Sequence, residues 1–179
     1  AFPGQLTLIP SALATPSLQE EGSKVLALYI DKSIDAVRQM WYFPIVYPLF
    51  HLLKQPSCSE YLQIAVAKTL CFMPSAQHIL NEISLDAFRG ILFPLLKQEK
   101  PIFVLVIATI YAFENSEAIN RLVNGQWSEF IFPLFDNKAT DVRLWTLLFI
   151  ATFLAKIPDK QLQDETVKHV LGTSDDEAP

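Results

Sequence analysis

Val46-Tyr47-Pro48-Leu49-Phe50 is a short apolar phrase built around a proline, and the chain returns to it. Leu92-Phe93-Pro94-Leu95-Leu96 and Ile131-Phe132-Pro133-Leu134-Phe135 repeat it downstream, and Leu8-Ile9-Pro10 begins it upstream. The four prolines are 38, 46 and 39 residues apart. After each phrase comes a polar break and then an apolar segment with a small residue, Ala27, Ala67, Ala108 or Ala151, at steps of 40, 41 and 43. Spacing of this size belongs to stacked helical units, none of which can bury its apolar face alone.

Working outward, apolar positions recur at steps of three and four residues through 61–72, 103–113 and 144–154, and there are only five glycines. Both features read as helix. Pro16, Pro56, Pro74, Pro101 and Pro158 are expected at helix starts or just past helix ends, where a missing N–H costs least. Pro44, Pro48, Pro94 and Pro133 are expected in the first turn of the next helix. Polar connections are read at 15–22, 54–59, 97–100, 136–141 and 158–165. The expected fold is all-α, an armadillo- or HEAT-like right-handed superhelical solenoid of about four repeats. It forms a single domain over 1–171, with 172–179 as an acidic tail containing Asp175, Asp176 and Glu177.

Composition narrows the classes of function. Half of the chain, 51%, is hydrophobic, and the mean hydropathy is +0.26, so much surface must be covered by the chain itself or by a partner. A net charge of −5 with scattered Lys and Arg provides no concentrated basic track for phosphates, so nucleic acid has weak support. The apolar runs 102–113 and 144–155 are too short to cross a bilayer core of roughly 30 Å and read as buried helices, so no membrane partner is expected. Cys58 and Cys71 lack zinc or redox spacing and read as reduced thiols of a cytoplasmic or nuclear protein. No secretory leader is read at the start, and Ala1 in place of Met points to a trimmed beginning.

Chemistry finds little to work with. His51, His78 and His169 are the only imidazoles, and none falls in a helical pair or beside a carboxylate cluster. A glycine-rich phosphate loop, a nucleophile elbow and a zinc-ligand pattern are all missing, so neither a catalytic residue, a metal site nor a cofactor is expected. Glu20, Glu21, Glu114, Glu117, Glu129, Asp141, Asp164 and Glu165 read as solvated or helix-capping carboxylates, favoured near helix N-termini by about 0.3 to 1 kcal/mol each. Trp41 and Trp145 read as core aromatics.

Specific strings narrow the superfold further. Ile9-Pro10-Ser11, Lys24-Val25-Leu26-Ala27-Leu28, Phe43-Pro44-Ile45-Val46-Tyr47-Pro48-Leu49-Phe50-His51 and Glu60-Tyr61-Leu62 occur in that order. They are followed by Ile107-Ala108-Thr109, Gln126-Trp127-Ser128-Glu129-Phe130, Arg143-Leu144, Ile157-Pro158-Asp159-Lys160-Gln161-Leu162-Gln163-Asp164 and Val170-Leu171. Together they resemble the Rcd-type cell-differentiation family, the armadillo-repeat Caf or Rcd subunit of the CCR-NOT messenger RNA deadenylase complex. In that family a Tyr-Pro-x-x-His helix start is followed by Glu-Tyr-Leu at the interval that separates Tyr47 from Glu60 here. Relative to the family pattern the chain starts about one repeat late, lacks the final helix and is shortened after Phe130, as in a divergent or truncated member.

The resemblance implies a noncatalytic adaptor in messenger RNA decay and translational repression. It implies a peptide-binding groove with Tyr61, Ile64 and Lys68 on one wall and Phe103, Val106 and Ile107 on the other. Tyr61, Ile64 and Lys68 share one helical face, and such a wall suits the i, i+3, i+4 and i+7 anchors of an amphipathic helix. On this reading Ile107→Glu abolishes helix binding and spares the fold. The family also captures tryptophan-containing peptides; Trp127 and Glu129 mark the corresponding aromatic pocket, with Glu129 where the family has arginine. Of the surface that docks on the NOT-type scaffold subunit, Leu6, Leu8 and Ile9 remain. A homodimer stays open. The alternative is an unrelated armadillo interaction module from a larger scaffold or transport protein, although Val66 with Leu70, Ile107 with Tyr111 and Ile150 with Leu154 do not form an importin-like Trp and Asn ladder.

Overall fold

The computed structural model describes residues 7–40, 45–53, 58–73, 85–99, 101–113, 115–123, 127–157 and 159–171. Leu6, Trp41, Pro44, Pro56, Pro74, His78, Glu114, Gln126, Pro158 and the acidic tail lie outside the described residues. Among the described residues there are helices and turns and no strand. The chain divides into two compact units, Ala1–Ile91 and Leu92–Pro179.

The first unit contains α1 (Ile9–Ala14), α2 (Gln19–Ile30), α3 (Ile34–Met40), α4 (Val46–Leu52) and α5 (Glu60–Phe72). Side-chain caps set where helices start. Ser33 Oγ accepts from the Ala36 amide at 3.2 Å, and Ser59 Oγ accepts from the Leu62 amide at 3.3 Å, each satisfying an amide that has no partner within its own helix. Leu13, Leu26, Val37, Met40, Ile45, Leu49, Phe50, Ala65, Val66 and Leu70 form the core. α2 and α5 pack side by side and run parallel. Lys24 Nζ sits 5.8 Å from the Tyr61 ring centre near one end, and Lys68 pairs with Asp31 near the other, a constant register of 37 residues.

Gly22 marks the closest approach of α1 to α2. A Cβ built there lies 3.0 Å from Ala12 Cβ, so the two helices meet where glycine leaves room. Gly22→Val adds branched carbon to a contact already tight, and is expected to destabilise by about 1 to 3 kcal/mol through overpacking. Thermal melting checks this: an unchanged midpoint would contradict the close contact of Gly22 with Ala12.

The second unit opens within α6 (Leu85–Leu96), which contains the boundary, and continues with α7 (Ile102–Ala112), α8 (Ser116–Val123), α9 (Ser128–Phe135), α10 (Thr140–Ala151) and α11 (Lys160–Leu171). Asn115 Oδ1 accepts from the Ala118 amide at 3.1 Å at the start of α8. At the start of α11, Asp159 Oδ1 accepts from the Gln161 and Leu162 amides at 2.8 and 3.3 Å. α7 and α10 pack more extensively than any other pair in this unit. Asn137 Nδ2 donates to Glu99 O at 3.5 Å just ahead of both, so the two packed helices run parallel from adjoining starts. Arg143 fixes the turn into α10 by donating to Asn137 O at 2.6 Å and Lys138 O at 3.3 Å.

The proline expectations need correction at two positions. Pro94 and Pro133 lie inside α6 and α9, not in their first turns. Each removes an amide that would bond to the residue four back, Gly90 or Glu129, and both of those residues are exposed, where water replaces the lost donor. Pro10 is the second residue of α1 and Pro48 the third of α4, as tolerated near an N-terminus. Pro16 opens a short 3-10 turn, and Pro101 caps α7.

Two expected loops are also largely helical: α2 already includes 19–22, and α11 includes 160–165. The run 144–155 is not one helix, because α10 ends at Ala151 and a separate 3-10 turn occupies Leu154–Lys156. Ala27, Ala67 and Ala108 are buried at helix contacts, but Ala151 is exposed at the end of α10. Thr146 on α10 is buried as well, and its hydroxyl donates to Val142 O at 2.8 Å and so enters the core satisfied.

Candidate functional site

Exposed apolar side chains, not polar clusters, distinguish the surface. On α10 the buried face is Val142, Thr146, Phe149 and Ile150, while Leu144, Leu147 and Leu148 are 54%, 38% and 43% exposed. With Ala151 they follow the i, i+3, i+4, i+7 rule, which places them in one stripe along the helix. On α7, Val106 and Ile110 are half-buried. Phe113, just past α7, is largely exposed. Both helices of this packed pair therefore carry apolar side chains that solvent reaches.

Of the expected groove residues in this unit, Phe103 and Val106 are half-buried on α7. Ile107 is not at the surface: it is only 3% exposed and belongs to the core with Val104, Leu105, Ala108 and Tyr111. α7 lacks charged residues, so its phase is set by neighbours and not by a polar side. Burial raises the Tyr111 hydroxyl to about 12, consistent with a group kept neutral inside.

The remaining expected groove residues belong to the first unit. Tyr61 is 37% exposed with Lys24 beside its ring, Ile64 is half-buried, and Lys68 is held by Asp31. Leu28 is exposed on α2 between Lys24 and Asp31, so the α2–α5 face alternates cationic, apolar and paired-charge positions. Tyr61, Ile64 and Lys68 do lie on one helical face as read from the sequence.

Trp127 is a core side chain, not an aromatic pocket at the surface. It is 1% exposed and packs edge-on against Phe132 and Phe153 at 5.8 and 5.0 Å. Its indole N–H finds no acceptor among the described residues. Glu129 is exposed nearby in the chain, on the first turn of α9. Trp145 is half-buried.

At the N-terminal end, Leu8 is strongly exposed, whereas Ile9 is buried against α1 and α2 neighbours. Both line a cleft of about 270 Å³ with Ala12, Leu18, Glu21, Gly22 and Val25. A second cavity, of about 210 Å³, is lined by Pro16, Gln19, Glu20, Ser23, Leu52, Cys58, Ser59 and Leu62. Neither was legible in the sequence, because Leu18, just ahead of α2, and Val25, on it, carry the same apolar character as buried Leu26 and Ile30.

Nothing gathers for catalysis among the described residues. There is no group of three His, Cys, Asp or Glu able to hold a metal ion. Burial pushes the Cys58 thiol up to about 12, with a smaller lowering by Gln63, and burial also raises Cys71, so neither thiolate is favoured at neutral pH. His169 stacks on Phe132 at 4.2 Å and serves packing between α9 and α11. No helix among the described residues is long and apolar enough to cross a membrane. The residues named for an importin-like ladder, Val66, Leu70, Ile107, Tyr111 and Ile150, are buried, so they report the core and not a binding surface. No family model, curated protein or solved structure matches the chain.

Proposed function

We propose that this protein is a noncatalytic adaptor built from armadillo-like helical repeats, resembling the Caf or Rcd subunit of the CCR-NOT deadenylase complex, and that it binds amphipathic helices of partner proteins. The observation that carries the binding reading is the exposed stripe Leu144, Leu147, Leu148 and Ala151 on α10; with the accessible Val106, Ile110 and Phe113 of the helix packed against it, we read it as an α7–α10 trough. Fully covering a Leu or Phe contributes about 1.5 to 3 kcal/mol, so two or three anchors reach micromolar affinity after ordering costs.

The repeat reading is supported by recurrence within each unit. In the first, α1 and α4 carry Pro10 and Pro48 and precede the parallel pair α2 and α5; in the second, α6 and α9 carry Pro94 and Pro133 and precede the parallel pair α7 and α10. The complex itself is supported by the ordered strings from Leu8 to Leu171 alone. Tyr61, Ile64 and Lys68 form a second, more polar face for partner contact, and Leu8 offers an apolar docking point for a scaffold subunit.

Affinity purification of the tagged full chain from its native cells tests the assignment. Recovery of a NOT-type scaffold and a deadenylase is expected. An unrelated partner set would remove the deadenylase assignment and leave a helix-binding module.

A further inference from the structure

The cleft between α1 and α2 has a character that its lining residues define. Leu8, Leu18 and Val25 form an exposed apolar rim, Ile9 and Ala12 form one side, and Gly22 leaves depth where any side chain would press on Ala12. Its volume of about 270 Å³ falls below the range of about 300 to 1,000 Å³ typical of pockets for drug-sized molecules. It therefore suits one bulky side chain, and an entire helix does not fit. A second copy of this chain is a poor occupant, since a stable dimer buries about 800 Å² on each partner and three partly exposed side chains offer far less.

Charge selects the occupant. Glu21 is the only ionisable residue in the lining, it is exposed, and it has no ion-pair partner among the described residues. Glu20, beside it in the first turn of α2, lines the other cavity, and Lys24, one turn on, has its ammonium over the Tyr61 ring, so Glu21 is the charge presented at this rim. We infer that the cleft is a docking site for a partner-protein segment that presents Phe or Leu immediately beside Arg or Lys, the apolar side chain filling the cleft and the cation pairing with Glu21. The inference rests on the adaptor reading for the class of partner, a protein, and concerns a surface separate from the α7–α10 trough.

The test uses the full chain with labelled methyl groups, titrated by magnetic resonance with N-acetyl-Phe-Arg-amide and, separately, N-acetyl-Phe-Glu-amide. Saturable shifts at Leu8, Leu18 and Val25 are expected with the arginine peptide. The glutamate peptide, or the arginine peptide against Glu21→Gln, is expected to bind roughly two- to fivefold more weakly at low salt, with the gap narrowing as salt screens the pair. Val25→Asp, at a position already exposed, is expected to abolish the shifts while melting stays unchanged. Equal affinity for the two peptides, or no saturable shift at these three residues, overturns the proposal. Shifts confined to Leu144, Leu147 and Leu148 also overturn it while leaving the adaptor reading intact. Conversely, cleft binding together with purification that recovers no deadenylase scaffold supports the cleft and removes the complex assignment.

Discussion

Ile107→Glu is expected to lower the stability of the second unit by about 3 to 5 kcal/mol, the range for an uncompensated buried charge, and so to unfold it near room temperature or shift its melting steeply downward. The residue is 3% exposed and sits with Val104, Leu105 and Ala108 on an α7 that packs closely along α10. No cationic residue belongs to that core set to compensate a carboxylate. Burial raises the carboxyl pKa above its unfolded value, so the glutamate tends to stay protonated at acid pH and the deficit grows as pH rises through the unfolded value near 4.3. Circular dichroism melts at pH 4 and pH 7 check both parts. The conservative Ile107→Val should cost only about 0.5 to 1.5 kcal/mol. A stable Ile107→Glu protein with unchanged melting at pH 7 would contradict the burial of this side chain.

Leu144→Glu combined with Leu148→Glu is expected to do the opposite: leave the fold and remove the binding. Both side chains are about half exposed, so charge costs little in the free protein. Loss of two apolar anchors, each contributing about 1.5 to 3 kcal/mol, should weaken a docked amphipathic helix by roughly 100-fold or more. Titration of the wild-type and double-variant proteins with one synthetic helix carrying leucines at i, i+3, i+4 and i+7 measures this directly. Equal affinities would exclude the α7–α10 trough as the place of docking. Alongside Ile107→Glu, the pair separates a residue that holds the unit together from residues that meet a partner.

The difference between those two outcomes is also the limit of what the chain spells out by itself. Helix and helix order were legible, because polar breaks and apolar steps of three and four survive in every segment. The phase of α7 was not: Ile102 to Ala112 is apolar on every side, so Val106 and Ile107 are equivalent until a neighbour covers one of them. The stripe on α10 was hidden for a related reason. Leu144, Leu147 and Leu148 sit in a run that reads as buried, and only the packing of Val142, Thr146 and Phe149 against the unit shows which side is free. Proline positions mislead because Pro94 and Pro133 read as helix starts, although their exposed rings and exposed residues four back make interior places tolerable. The alanine step of 40 from Ala27 to Ala67 overstates the α2–α5 register, which the Lys24–Tyr61 and Asp31–Lys68 contacts put at 37.

Because α7 and α10 run the same way, their aligned peptide dipoles concentrate fractional negative charge at one end of the pair, by Phe113 and Ala151, and fractional positive charge at the other. A helix docked there as proposed would lie more favourably antiparallel to both hosts than parallel to them, since side-by-side dipoles attract when opposed. On that proposal the N-to-C polarity of the guest matters as much as its greasy side, and a sequence with the same leucines in reversed order is a different ligand.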